Sequence, residues 1–133
     1  MRDGMTIGGL AKAAGVNVET VRYYQRRGLI AEPHKPPGGH RRYPAGIVGQ
    51  IGFIRKAQQL GFSLAEAKSL LDLSDGKDRR STRVIAEKKC ASLDVHITHL
   101  RLMQRRLKAL IEKSRKARGR TACPIIAELL ASD

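Results

Sequence analysis

Cysteine is scarce in this 133-residue chain: Cys90 and Cys123 are the only two. Two isolated thiols are not the framework of a disulfide-stabilised domain, so they read as free thiols or metal ligands. Long apolar runs are missing as well. The N-terminal stretch MRDGMTIGGL lacks the apolar core of a signal peptide, and no segment reaches the length that spans a bilayer. A cytoplasmic protein without a membrane partner is expected. The motifs of common enzymes are also missing: there is no phosphate-binding glycine loop with its lysine, no His-Glu metal motif and no serine nucleophile elbow. The chain is therefore not expected to be an enzyme. Acidic residues are few, 12 against 26 Lys and Arg, which leaves a formal charge of +14. That excess favours a polyanionic partner, nucleic acid first, with a generally basic soluble protein as the plainer alternative.

What is present is mainly helical. In TIGGLAKAA, Ile7, Leu10, Ala11 and Ala14 share one helical face, and Gly15 can supply a left-handed stop. Asn17 can cap a second helix, NVETVRYYQRR, ending before Gly28. Two short helices around a tight glycine-containing turn have the form of a helix-turn-helix. On the second, Val18 and Val21 can pack inward. Thr20, Arg22, Tyr23, Gln25, Arg26 and Arg27 offer donors and hydroxyls suited to phosphates and base edges. The next stretch, IAEPHKPPGGHRRYP, cannot be helical through its Pro-Pro-Gly-Gly, and reads as a turn between short strands followed by Arg41, Arg42 and Tyr43. Beside a helix-turn-helix, such a turn reads as a wing along the DNA backbone.

A third helix should bury Ile47, Ile51, Ile54, Ala57 and Leu60 and leave Arg55 and Lys56 outside. Ser63 and Glu66 form a capping box for a fourth. Residues 1–75 are thus expected to be the DNA-binding domain, 76–81 a polar hinge around Gly76, 82–113 one long helix, and 114–133 a C-terminal loop and short helix. Alternating steps of three and four along the long helix pick out Arg83, Ala86, Cys90, Leu93, Ile97, Leu100, Gln104, Leu107 and Ile111. Most are apolar, as in a coiled-coil seam. The chain has no other segment to cover such a seam, so a homodimer is expected.

This order of parts, with the strings TIGGLAKAAGVNVETVRYYQRRGLI and AQQLGFSLAEAKSLLDLSDG, resembles the mercury-resistance regulator (MerR) family of bacterial transcription factors. The resemblance implies a winged helix-turn-helix, an antiparallel dimerisation helix and promoter DNA as partner. RNA polymerase is the further partner it implies. It also implies control of a promoter with an overlong spacer, bent and untwisted until its two polymerase elements align. Carried onto matching positions, Thr20, Arg22, Tyr23 and Tyr24 belong to the recognition helix, Arg41 and Tyr43 to the wing, and Arg55 or Lys56 would reach phosphate.

Mercury sensors of that family hold the ion through three cysteines shared between subunits. Ungapped alignment on DLSDG and CPII puts those positions at Arg79, Ser114 and Cys123, of which only the last is a thiol. Cys90 falls in the seam, where cysteine packs as a small hydrophobe. Two readings of Cys123 stand: it packs at the start of PIIAELL, or it is a reactive thiol or metal ligand with Arg118 and Arg120 nearby. A thiophilic metal is the cofactor this would imply. In the architecture the resemblance implies, Lys113, Arg115, Lys116, Arg118 and Arg120 would lie near Arg79 and Arg80 of the partner subunit and make a cationic pocket for an anionic effector, against the plain reading of a solvated basic loop or an additional DNA contact. The function expected is an effector-responsive regulator. A constitutive repressor or architectural protein with a degenerate sensor, and a thiol-redox sensor, are the alternatives.

Overall fold

The computed structural model describes residues 4–119 and 121–131, so Arg120 lies outside it. Six helices occur among the described residues: α1 (Ile7–Ala14), α2 (Val18–Arg26), α3 (Gly46–Gln59), α4 (Leu64–Asp72), α5 (Arg79–Lys116) and α6 (Pro124–Leu130). None is long and apolar enough to cross a membrane. The chain divides into two compact units, residues 1–89 and 90–133, with the division inside α5.

Local chemistry sets each boundary. The Thr6 hydroxyl accepts the Gly9 N–H at 3.1 Å to open α1, and Gly15, at φ 72°, closes it. Asn17 Oδ1 then accepts the Thr20 N–H at 2.8 Å and starts α2 at once. The expected capping box on α4 is complete, with Ser63 Oγ accepting from Glu66 N–H and Glu66 Oε1 accepting from Ser63 N–H.

These short helices are stabilised by one shared core. Leu10 and Ala11 of α1, Val21 and Tyr24 of α2, and Ile47, Ile51, Ile54 and Ala57 of α3 are all buried. Leu29, Ile30, Tyr43 and Ala67 complete the cluster. Leu60 was expected among them, but it stands at the C-cap of α3, past the last inward turn, and is 68% exposed.

The wing differs from the expected pair of strands. Among the described residues, 29–45 form no strand ladder, only a turn at Pro36–Gly39 closed by Gly39 N–H to Pro36 O at 3.1 Å. Pro33, Pro36 and Pro37 have no N–H to give to a ladder. Tyr43 instead pairs with Met5, exchanging both backbone hydrogen bonds at 2.9 and 2.8 Å. The close approach depends on Gly4, at φ 110°, where a Cβ would stand 2.9 Å from the Tyr43 carbonyl oxygen.

The long helix is three residues longer at each end than the sequence suggested. Asp78 Oδ1 accepts the Ser81 N–H at 2.9 Å and so starts α5 at Arg79, inside the expected hinge. In the first unit, Lys89 lies over Phe62 and reaches Glu66 Oε1 at 2.9 Å. No residue of α5 is buried, and the expected seam side chains Leu93, Ile97, Leu100, Leu107 and Ile111 stand exposed in the single chain.

The Glu66 carboxyl is held below its ordinary value of 4.5, first by the Ser63 N–H and then by Lys89. A lowered carboxyl stabilises the fold fully above its unfolded pKa, and the contribution is lost as pH falls through the folded value. Ser63→Ala should cost about 1 kcal/mol at neutral pH. Thermal melts at pH 7 and below pH 4 check both points: melting should fall with acid in both proteins, with Ser63→Ala lower at pH 7.

Candidate nucleic-acid interface and effector loop

The second helix carries two tyrosines, and the structure assigns them opposite roles. Tyr23 is 43% exposed with the Arg26 guanidinium 5.9 Å from its ring centroid. Tyr24, three residues after the buried Val21, turns inward to 4% exposure and donates its hydroxyl to Gln58 Oε1 at 3.0 Å. Burial pushes its hydroxyl pKa up. Tyr24 was expected to contact DNA, but it is the core residue that joins α2 to α3.

Tyr43 departs from expectation in the same way. It is 1% exposed, and its hydroxyl donates to Gln25 Oε1 of α2. Its pKa is raised, first by burial and next by the nearby Glu32 carboxylate. Tyr43 therefore fixes the wing to α2 and does not present its ring outward.

The other expected contacts lie on the surface. Arg22 is exposed and paired with Glu19 one helical turn earlier, at 2.9 Å. Thr20 is half-buried, its hydroxyl donating to Asn17 Oδ1 at 2.9 Å. Arg55 is exposed and lies 3.4 Å from the carbonyl oxygens of Ala14 and Gly15, where it meets the negative end of α1. Lys56 beside it is exposed. Arg41 donates its Nε–H to the Pro33 carbonyl at 3.0 Å, and its Nη2 lies 3.6 Å from Glu32 Oε1. Gln25 Nε2 donates to the other oxygen of Glu32 at 3.3 Å.

A cavity of about 360 Å³ opens between the start of α1, α2 and the wing, with Arg22, Lys35, His40 and Arg41 on its walls. Its dimensions and cationic lining suit a backbone phosphate. Sequence reading did not single out Glu32, although it is the only acidic residue between Glu19 and Glu66.

The C-terminal loop, where an effector site was expected, lies in the second unit. Ser114, in the last turn of α5, and Cys123, at the N-cap of α6, are nine residues apart, yet Oγ and Sγ are 3.7 Å apart. Gly119, at φ 69°, turns the chain between them. The Cys123 thiol is exposed and its pKa is lowered, first by the Ile126 N–H, then by the Ser114 hydroxyl and the Ile125 N–H. The expected influence of Arg118 is not among these causes. Arg115 and Lys116, expected in an anion pocket, are exposed and each lies 3.9 Å from the Glu112 carboxylate. Among the described residues no three His, Cys, Asp or Glu side chains gather as metal ligands. One thiol beside one hydroxyl does not match the donor set of a soft-metal site built from three thiolates.

Two family models match the chain, one described as MerR HTH family regulatory protein over residues 5–74 and one as MerR, DNA binding over residues 48–110. A mercuric resistance operon regulatory protein of Serratia marcescens is 44% identical over 127 residues, covering 96% of this chain and 88% of its own length. Similar solved structures include two metal-bound regulators. The transcription regulator PbrR691 from Ralstonia metallidurans CH34, in complex with lead(II), has TM-score 0.78 and 30% identity, covering 94% of this chain and 98% of its own. The regulator MerR from Bacillus megaterium MB1, in complex with mercury(II), has TM-score 0.67 and 33% identity, covering 96% and 100%.

The lowered thiol pKa has a kinetic consequence. Near neutral pH, iodoacetamide should label Cys123 before Cys90, and Ser114→Ala should slow that labelling by about twofold to fivefold by removing one donor to the thiolate. Peptide mapping over time checks it; equal rates at the two cysteines would contradict the assigned environment.

Proposed function

The chain belongs to the MerR family of helix-turn-helix regulatory proteins, and from that premise we propose that it binds promoter DNA as an antiparallel homodimer and controls transcription by distorting the duplex. It is a regulator and not an enzyme. The observation that carries the reading is the juxtaposition of the capped α1–α2 pair with the cationic cavity and wing, all on one small core. Arg22, Thr20 and Tyr23 of α2 read the groove, while Arg41, Arg55 and Lys56 meet the backbone. Bending and untwisting an overlong spacer is the mechanism proposed for the promoter response.

Dimerisation follows from α5. Its seam is close to palindromic about Ile97: in an antiparallel pair, Leu93 meets Leu100 of the second copy, and Cys90 meets Gln104. The same register brings Asp94 beside Arg101 of the second copy, a charge match that supports the antiparallel sense.

The effector is the finer question. The relatives' names point to mercury and lead, but Ser114 and Cys123 do not fit a three-thiolate site. The donor set supports a regulator whose DNA-binding half is intact and whose grip on soft ions is weakened to a single thiol per subunit. The lowered Cys123 thiol favours a second reading, in which a thiophilic effector reacts there alone.

Footprinting on the promoter of the chain's own transcription unit should give one near-palindromic protected site. Arg22→Ala should cost about 1–3 kcal/mol at one base position and relax preference there. Uniform loss across sequences would remove Arg22 from base readout. Leu100→Glu should convert the dimer to monomer in sedimentation and abolish the footprint; a mutant that remains dimeric would disprove the seam. Run-off transcription with and without mercury(II), for wild type and Cys123→Ala, separates the two effector readings: a response lost in the variant assigns it to the single thiol, and none in either leaves a constitutive regulator.

A further inference from the structure

Glu32 is the one carboxylate among the described residues lining the cationic cavity, and it also lines the adjoining cleft with Arg22, Gln25 and Arg26. Both of its oxygens are engaged. Oε1 lies 3.6 Å from Arg41 Nη2, and Oε2 accepts from Gln25 Nε2 at 3.3 Å. Gln25 is itself fixed, because its amide oxygen accepts the hydroxyl of the buried Tyr43. Arg41 has a second anchor in its bond to the Pro33 carbonyl. The carboxylate is thus held over the cationic lining by a chain of hydrogen bonds that begins in the core.

We propose that Glu32 is a phosphate stand-in: it holds Arg41 in the free protein, gives up that guanidinium to a DNA backbone phosphate, and by its remaining charge restrains the affinity of the wing for any DNA. The inference rests on the DNA-binding reading above. Two effects of the carboxylate oppose each other. Preordering Arg41 favours binding, but the pair is 41% and 54% exposed, and a pair so open to water is worth little. Repulsion between carboxylate and arriving phosphate disfavours binding, and it persists because Gln25 and Tyr43 keep Glu32 from swinging away. The second effect dominates. On a chain of charge +14, such a restraint limits retention on non-operator DNA.

Glu32→Gln keeps the side chain's size and an acceptor for Gln25 while removing the charge. Binding of the full-length protein to its operator and to a random duplex, measured by fluorescence anisotropy across a salt series, should become about threefold to tenfold tighter on both. The slope of log affinity against log salt should steepen by about 0.9, since Arg41 then enters the complex as an unneutralised cation. Asp72→Asn removes a carboxylate from α4 that does not line the cavity, and its slope should match wild type. In an Arg41→Ala background, Glu32→Gln should still tighten binding, because the repulsion acts on the phosphate directly, but without the added salt dependence that Arg41 brings. Weaker binding by Glu32→Gln at unchanged melting temperature, an unchanged slope, an equal effect of Asp72→Asn, or the same steepening of the slope without Arg41 would each overturn the proposal. Wild-type protein that binds no DNA at all would instead overturn the regulator reading.

Discussion

The first unit depends on a core too small to tolerate imprecision. Its helices α1 to α4 run 8, 9, 14 and 9 residues, lengths at which an isolated helix in water is marginal or unstable. Packing against one another is what keeps them helical, and the chain has only five aromatic side chains to help. Two of those, Tyr24 and Tyr43, are buried with their hydroxyls hydrogen-bonded across elements. Each joins two parts that DNA recognition requires in fixed relation: Tyr24 ties α2 to α3, and Tyr43 ties the wing to α2. The surface cations can be aimed because the two phenols beneath them are fixed.

Charge on this unit is correspondingly managed and not merely accumulated. Several cations facing outward have an assigned place in the free protein: Arg22 on Glu19, Arg41 on Glu32 and Pro33, Arg55 on the last carbonyls of α1. Pairs this exposed contribute little stability, so their value lies in holding long side chains near a working geometry. A duplex phosphate can displace each of them at low cost. Part of the formal charge of +14 is thus screened internally until a polyanion competes for it.

Much of this was legible in the sequence because it is local. Gly15, Asn17, Ser63 and Glu66 act within a few residues of themselves, and the structure places each cap where the pattern indicated. What was not legible depended on the third dimension. The family resemblance put Tyr24 and Tyr43 among the DNA-facing residues, yet partners 34 and 18 residues away in sequence satisfy both hydroxyls inside. Leu60 obeyed the helical period but fell one residue past the helix it was counted in. The Ser114–Cys123 approach could be guessed only from family alignment, because a glycine turn and not periodicity brings them together. Glu32, a lone acid amid cations, was visible in the sequence, but its meaning required the distances to Arg41 and Gln25.

The two units also differ in what completes them. The first has its core in its own residues, whereas α5 exposes Ile97, Leu100, Leu107 and Ile111 along one face with no buried residue. A 38-residue helix of that kind gains its burial from a second copy, so its stability must rise with protein concentration, and that of residues 1–89 need not. Cys123 and Ser114 sit at the end of that helix. Any effector that engages Cys123 therefore acts on the part of the chain whose order depends on dimerisation. A single thiol with one hydroxyl neighbour offers little binding energy of its own, and a response through it would rely on the dimer already lying near the balance between two arrangements. A site with one thiol where three would sit belongs to neither the core of the first unit nor the apolar face of α5, and offers a soft ion less free energy with which to shift one arrangement toward the other.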